Sequence, residues 1–217
     1  SFQLNPGLKL SLAADLQWDG LKSTNYTASR IGAFAALAAS YVSGRFAADA
    51  ALEYSGAFDR NALSRNALLP SMDLKYTVAR GLYIRAFGRR AYRVPVFNEL
   101  YYVGYGNPEL KPEDVWMTDL GLDFDRKTGK HLSVSADLDL FCNWLTDKIT
   151  SAPSEEDPNI WRPYNIGKVL SAGCDAAAGF RYTVEKWAFA AEGQYTFQSA
   201  TDRTPSSESF GRQIPYI

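Results

Sequence analysis

Apolar and polar residues alternate with a period of two along most of this chain. In Leu8–Trp18 the even-numbered residues form one apolar set, and most of the odd-numbered residues between them are polar. Because successive side chains of a strand point to opposite faces, this pattern predicts β-strands with one apolar face. The runs amount to about ten strands in simple up-and-down order. The other runs are Ile31–Tyr41, Arg45–Tyr54, Met72–Val78, Leu82–Arg90, Val115–Asp125, His131–Leu145, Tyr164–Tyr182 and Trp187–Phe197, with a last strand beginning at the C-terminal end.

The connections between these predicted strands alternate between long and short. The long ones are expected at one end of the sheet, after Trp18, Tyr54, Arg90, Asp147 and Gln198; the second of them is predicted to end near Pro70. Outer-membrane barrels combine short periplasmic turns with long external loops and aromatic girdles. The pattern therefore favours an all-β, antiparallel, up-and-down transmembrane β-barrel segment. A passive porin-type barrel and a soluble carbohydrate-binding β-sandwich remain alternatives.

Composition excludes several classes of protein. The chain has 217 residues, 46% of them hydrophobic and 22% charged, which excludes a disordered chain. With a net charge of −1 there is no basic excess to bind nucleic acid. No run approaches 18 apolar residues, so no transmembrane helix is predicted.

The residues that carry catalytic or metal chemistry are sparse. His131 is the single histidine, and no nucleophile–base pattern or Gly-rich phosphate loop is present. The two cysteines, Cys142 and Cys174, have no metal-ligand spacing. Cys142 is expected opposite a residue near Val169, which would leave Cys174 roughly 15 Å away along the ladder and unable to form a disulfide. We therefore predict no enzyme activity, no cofactor and no metal site.

The longest connection, Arg89–Asp114, reads RRAYRVPVFNELYYVGYGNPELKPED. Its prolines cannot donate to a β-ladder, and it is too long for a hairpin turn. A long, aromatic loop on a strand scaffold is a common place for ligand binding.

This loop resembles the signature of TonB-dependent outer-membrane receptors, (F/Y)RAP-x-x-x-EL-Y followed by GNP-x-LKPE. Val94 replaces the usual Ala. Three further blocks occur in the family's order: Leu69–Tyr76 (LPSMDLKY), Tyr164–Asp175 (YNIGKVLSAGCD) and Gln213–Ile217 (QIPYI). The matching residues of the loop are Tyr92, Arg93, Pro95, Asn98, Glu99, Leu100, Tyr101, Gly106, Asn107, Pro108, Leu110, Lys111, Pro112 and Glu113.

The resemblance implies that residues 1–217 form part of one receptor barrel, about ten strands of the family's roughly 22. It implies TonB-dependent uptake of a scarce nutrient across the outer membrane of a Gram-negative bacterium, the cargo being a ferric siderophore, haem, cobalamin or a glycan. The implied partners are outer-membrane lipid, a plug domain and the TonB complex, neither of which this chain includes, and a small-molecule or metal-chelate ligand.

Four sets of residues follow from this interpretation. Tyrosines between the motif residues are the ligand-contact candidates: Tyr101, Tyr102 and Tyr105. The motif residues are expected to shape the loop, with Arg93 and Glu99 paired across its base: Arg93, Pro95, Asn98, Glu99, Asn107, Pro108, Lys111 and Pro112. Charged residues of the polar face are expected to line the lumen: Arg85, Arg89, Asp119, Asp123, Asp137 and Asp139. Tryptophans of the apolar face are the girdle candidates: Trp18, Trp116, Trp144 and Trp187.

Overall fold

The computed structural model describes residues 1–60, 64–154, 157–205 and 207–214. In them the chain forms one antiparallel sheet of ten strands, and each strand pairs with its neighbours in sequence. The two edge strands, the first and the tenth along the chain, do not pair with each other in the part of the chain that is described, so the sheet is open. The predicted up-and-down order and the number of about ten strands are confirmed. The first strand, Phe2–Asn5, was not predicted, and the strand predicted at the C-terminal end lies partly in 215–217, outside the described residues.

The strands are longer than the alternation alone indicates. Their bounds are β1 Phe2–Asn5, β2 Leu8–Lys22, β3 Thr27–Ser43, β4 Phe46–Asp59, β5 Arg65–Ala79, β6 Leu82–Arg93, β7 Glu113–Thr128, β8 Leu132–Pro153, β9 Trp161–Val184 and β10 Trp187–Asp202. One short helix, α1 (Phe97–Tyr101), lies between β6 and β7. None of the helices in the described ranges is long and apolar enough to cross a membrane.

Each strand shows one face of apolar side chains and one of polar side chains, as the alternation predicts. Cross-strand partners share a face, so the register joins the apolar sets into one surface, the apolar face, opposite the polar face. Large side chains on the apolar face are exposed, for example Leu16 at 78% and Trp187 at 68%. A soluble β-sandwich would cover such a face with a second sheet, and the described residues form only one sheet. The sandwich alternative is therefore wrong.

The prediction of long loops was wrong in two places. β2 continues to Lys22 and β5 begins at Arg65, so Pro70 lies inside a strand and the polar stretch before it is mostly ladder. Backbone pairing continues there because it does not depend on the polarity of the side chains, whereas the alternation stops where both faces are polar. The predicted difference between the two ends of the sheet is nevertheless present. The 19-residue connection 94–112 lies at one end, which is called the long-loop end. The connections at the other end, which is called the short-turn end, are turns of two or three residues.

All four tryptophans proposed for the girdles lie on the apolar face. Trp116 and Trp144 face each other across β7 and β8 near the long-loop end, and Trp18 lies near the same end of β2. Trp187 begins β10 at the short-turn end. The aromatic residues therefore lie near both ends of the sheet.

The predicted register of the two cysteines was wrong by three residues. Cys142 lies opposite Ala172, and Cys174 lies opposite Leu140, so the cysteines are diagonal neighbours about 7 Å apart. The error arose because the hairpin of β8 and β9 is centred at Asp157, further along the chain than the sequence pattern indicated. Both thiols are free.

Gly81 makes the β5–β6 turn possible. Its φ of +78° is a left-handed conformation, and a Cβ there would collide with the carbonyl oxygen of Asp125. We expect Gly81→Ala to lower the free energy of unfolding of the intact receptor by about 1–3 kcal/mol, measured by denaturant titration in detergent. Gly193→Ala is the matched control, since a Cβ added at Gly193 would have no atom within 4 Å. Equal stability of the two variants would contradict this role.

Candidate functional site

The connection between β6 and β7, residues 94–112, is called the motif loop. It does not extend into solvent but folds across the polar face at the long-loop end. Two of its side chains, Leu100 and Leu110, are among the most buried in the protein, at 1% and 2% exposure. The motif loop is therefore a packed element of the structure.

A buried charge cluster on β3, β4 and β5 holds one side of the motif loop. Asp59 accepts from Arg30 at 2.5 and 3.0 Å and from Arg65 at 3.1 Å. The Asp59 side chain is only 1% exposed, and those of Arg30 and Arg65 are 13% and 7% exposed. A buried ion pair is stable only when its remaining hydrogen-bonding groups also find partners.

Those partners are carbonyl groups of the motif loop. Arg30 Nη2 donates to the Pro95 carbonyl at 2.9 Å. Arg65 Nη2 donates to the carbonyls of Pro108 at 3.3 Å and Leu110 at 3.0 Å. The cluster formed by Arg30, Asp59 and Arg65 thus fixes the beginning and the end of the loop to the same strands.

A second ionic contact closes the base of the motif loop. Arg93 pairs with Glu99 at 3.1 Å, as expected, and also with Glu113 at 2.6 Å. Glu99 accepts from the Val96 N–H at 2.8 Å, which satisfies a free donor at the start of α1. Glu113 also accepts from the Ile149 N–H at 2.7 Å, which connects the base to β8.

Asparagines fix the other side of the motif loop to β9. Asn107 donates through Nδ2 to the Pro163 carbonyl at 3.1 Å. Asn165 accepts from the Lys111 N–H at 2.7 Å and donates to the Lys111 carbonyl at 2.9 Å. The loop is thereby held from β3 to β9, across most of the sheet.

The remaining residues predicted to shape the loop contribute mainly through the backbone. Pro95 is fully buried. Asn98 accepts a hydrogen bond from the Tyr26 hydroxyl. Lys111 is held by its backbone groups, and Pro108 contributes its carbonyl. For Pro112 the structure gives no specific contact within the described residues.

Gly106 allows the end of the motif loop to pack against α1. A Cβ at this position would lie 2.7 Å from backbone atoms of Leu100, Tyr101 and Tyr102. The Gly106 N–H donates to the Tyr102 carbonyl at 2.7 Å. The glycine of the sequence motif is thus a site of close backbone approach.

The three candidate tyrosines have different environments. Tyr101 packs against Phe97 and Tyr26, with ring centroids 6.2 and 6.3 Å away. Its hydroxyl is buried and has no hydrogen-bond partner at normal geometry among the described residues. Burial raises the pKa of the Tyr101 phenol, and the nearby Asp59 carboxylate adds to the rise, so the phenol is neutral at physiological pH. Tyr102 is 43% exposed, and Tyr105 contacts Ser151 through its hydroxyl at 2.6 Å. Tyr102 is therefore the most accessible of the three.

The predicted lumen residues all lie on the polar face. Arg85 bridges Asp123 at 2.5 Å and Asp139 at 2.9 Å. Gly121 leaves the space over which this guanidinium passes, because a Cβ there would lie 2.5 Å from Asp139 Oδ1. Asp137 lies directly opposite Asp123, Asp119 lies opposite Phe87, and Arg89 forms no ion pair within the described residues. This part of the polar face, called the acidic wall, thus carries several aspartates and one arginine, Arg85, that bridges two of them.

The sequence profile of the family described as "TonB dependent receptor-like, beta-barrel" matches residues 1–217. The chain therefore belongs to the TonB-dependent receptor family, within the β-barrel part of these proteins. Barrels of this family lie in the outer membrane of Gram-negative bacteria.

Relatives in this family are named as transporters or receptors. The vitamin B12 transporter BtuB of Photobacterium profundum is 28% identical over 107 residues, a match that covers 48% of this chain and 17% of BtuB. The FrpB iron transporter from Neisseria meningitidis (F3-3 variant) superposes with a TM-score of 0.69 at 14% identity, over 98% of this chain and 37% of its own. The siderophore receptor PirA from Pseudomonas aeruginosa superposes with a TM-score of 0.70 at 17% identity, over 93% of this chain and 40% of its own. The chain thus spans well under half the length of these relatives.

The cluster of Arg30, Asp59 and Arg65 was not found by the sequence analysis. Arg30 lies in an Ala-rich strand, and the other two residues lie in a stretch predicted to be loop. Asn165 lies in the sequence block Tyr164–Asp175, and its place in that block was the signal that could have identified it as a functional residue. Its partner Lys111 could not be inferred without the fold.

Asp59→Ala would leave two buried guanidinium groups without their shared carboxylate. We expect the intact receptor to lose about 3–5 kcal/mol of unfolding free energy, because breaking a buried ion pair leaves charge uncompensated. Denaturant unfolding measures the loss, and limited proteolysis measures release of the motif loop. Asp49→Ala is the control, since exposed Asp49 accepts, among the described residues, only from the Ser40 hydroxyl. It should change stability by less than about 1 kcal/mol. An Asp59→Ala receptor with unchanged stability and a protected loop would show that the cluster does not hold the loop.

Proposed function

We propose that the chain forms part of the barrel of a receptor that takes up a scarce nutrient with energy supplied through TonB. The supporting observation is the motif loop, whose fixed base leaves a small exposed tip at the long-loop end. The relatives named above transport vitamin B12 or iron or bind siderophores. Cargo of the same general kind, a ferric siderophore, haem, cobalamin or a glycan, is the proposed ligand.

The tip of the motif loop supplies the proposed contact surface. Val103 is 68% exposed and Tyr102 43% exposed, directly after helix α1. An aromatic ring with a hydroxyl offers a large contact area at low entropic cost. Tyr102 is the primary candidate for ligand contact, and Tyr105 supports the tip through Ser151.

The polar face below the motif loop is the proposed contact wall for a plug domain. The acidic residues around Arg85 would meet such a domain through polar contacts. In this account ligand binds at the long-loop end, and force transmitted through TonB rearranges the plug. No covalent step on the ligand is involved.

Uptake by cells that carry the intact receptor tests the proposal. The probes are radiolabelled cobalamin, ⁵⁵Fe-loaded siderophores, ⁵⁵Fe-haem and labelled oligosaccharides. At least one probe should accumulate in a TonB-containing strain and fall to background when TonB is deleted. Uptake that is unchanged without TonB would indicate a passive pore and overturn the proposal.

The same cells test the proposed contact residue. For the probe that is taken up, Tyr102→Ala should weaken binding about 5- to 30-fold, the equivalent of about 1–2 kcal/mol for a lost aromatic contact. Tyr76→Ala is the control, because Tyr76 is similarly exposed at 47% but lies on the apolar face of β5. Equal affinity of the Tyr102→Ala and Tyr76→Ala receptors would remove Tyr102 from the site.

A further inference from the structure

The two cysteines of the chain, Cys142 and Cys174, lie side by side on the apolar face. Cys142 of β8 lies opposite Ala172 of β9. Cys174 lies two residues further along β9, opposite Leu140. Side chains two positions apart on a strand share a face, so both thiols project from the apolar face at diagonal positions about 7 Å apart. These two residues are called the thiol pair.

Both members of the thiol pair are free, and both can be reached from outside the sheet. Cys142 is exposed and Cys174 is half-buried. The Thr118 hydroxyl, on the neighbouring strand β7, donates to the carbonyl oxygen of Cys142 at 2.9 Å and not to its sulfur. Each sulfur atom is therefore open to an external ligand.

The side chains around the thiol pair are uncharged. On the outer sides of the pair, Cys142 lies opposite Thr118 and Cys174 lies opposite Phe197. The acidic residues Asp139 and Asp175 are next in sequence but face each other on the polar face. No third histidine, cysteine or carboxylate joins the pair among the described residues. A metal ion at this place would be held by two sulfur atoms alone.

A disulfide requires a closer approach than the two strands give. Cysteines whose Cα atoms are more than about 7 Å apart cannot be bridged without movement of the backbone. Here both strands lie inside the sheet, because β8 also pairs with β7 and β9 also pairs with β10 along this stretch. Ladders on both sides oppose such a movement, so the pair is favoured as two thiols.

A bridging metal ion fits the distance that a disulfide does not. Two thiolate–metal bonds of about 2.3 Å place the sulfur atoms about 4.6 Å apart when the ion is linear and two-coordinate. Two cysteine side chains at diagonal positions can lean toward each other to reach this separation. Soft cations prefer thiolate sulfur as a ligand. A divalent ion replaces one proton on each thiol, so the complex carries no net charge, as uncharged surroundings require.

We infer that the thiol pair is a two-coordinate binding site for a soft divalent cation. Binding breaks two S–H bonds, forms two S–metal bonds and releases two protons, with no change in oxidation state. The sequence analysis predicted no metal site, and it placed the two thiols roughly 15 Å apart. The register of β8 and β9 is the observation that brings them together.

Native mass spectrometry of the intact receptor tests this assignment, with mercuric ion as the probe. The unmodified receptor should retain one ion more than a receptor in which both cysteines are alanine, and the mass should show the loss of two protons. Two thiols on one ion act as a chelate. The dissociation constant, measured by competition with glutathione, should therefore rise about 100-fold or more in Cys142→Ala or Cys174→Ala.

The matched control exchanges two residues of β9, as Cys174→Ala with Ala178→Cys. Ala178 is exposed on the same face, opposite Ala136. The exchange keeps two thiols but places them six residues apart along the ladder, about 20 Å. Each thiol then binds alone, and the control should hold mercury as weakly as the single alanine variants.

Three results would overturn the assignment. They are equally tight binding by the exchanged receptor, two additional ions in place of one on the unmodified receptor, and unchanged affinity in the single alanine variants. Should the exchanged receptor fail to fold, the single variants decide, because alanine already occupies many positions of this face. Since no cargo is used, the outcome is independent of the proposed transport function.

Discussion

The carboxylate of Asp59, buried between Arg30 and Arg65, is the interaction on which the long-loop end depends. Its cost of desolvation is met because both guanidinium groups also donate to motif-loop carbonyls. The cluster joins three strands of the wall to a 19-residue connection that would otherwise have to be ordered by its own contacts. A long loop thereby becomes a rigid base with a small exposed tip.

The two faces of the sheet divide the remaining tasks. The apolar face carries exposed leucines and tryptophans. The polar face carries the motif loop at one end and the acidic wall around Arg85 further down. Because cross-strand partners share a face, a single register sets all of these positions at once.

The alternation in the sequence was sufficient to predict the strands, their order and their faces, and the motif GNPELKPE was sufficient to recognise the family. Strand ends were not predictable, because ladders continue past the alternating stretches to where both faces are polar. The partners of Arg93 could be foreseen only in part: Glu99 lies six residues away in the chain, whereas Glu113 meets it through strand pairing. Arg30 and Asp59 carry no motif, and only the β3–β4 register brings them together.

Labelling of single cysteines in intact cells tests the central claim, that the motif loop presents its tip outward from the long-loop end. In an intact receptor with Cys142 and Cys174 replaced by serine, a cysteine is introduced at Val103 or at Lys130, both of which are exposed. A membrane-impermeant maleimide should label the Val103→Cys receptor in whole cells, and the Lys130→Cys receptor only after the outer membrane is permeabilised. Labelling of Lys130→Cys but not Val103→Cys in whole cells would contradict the orientation and the placement of the loop.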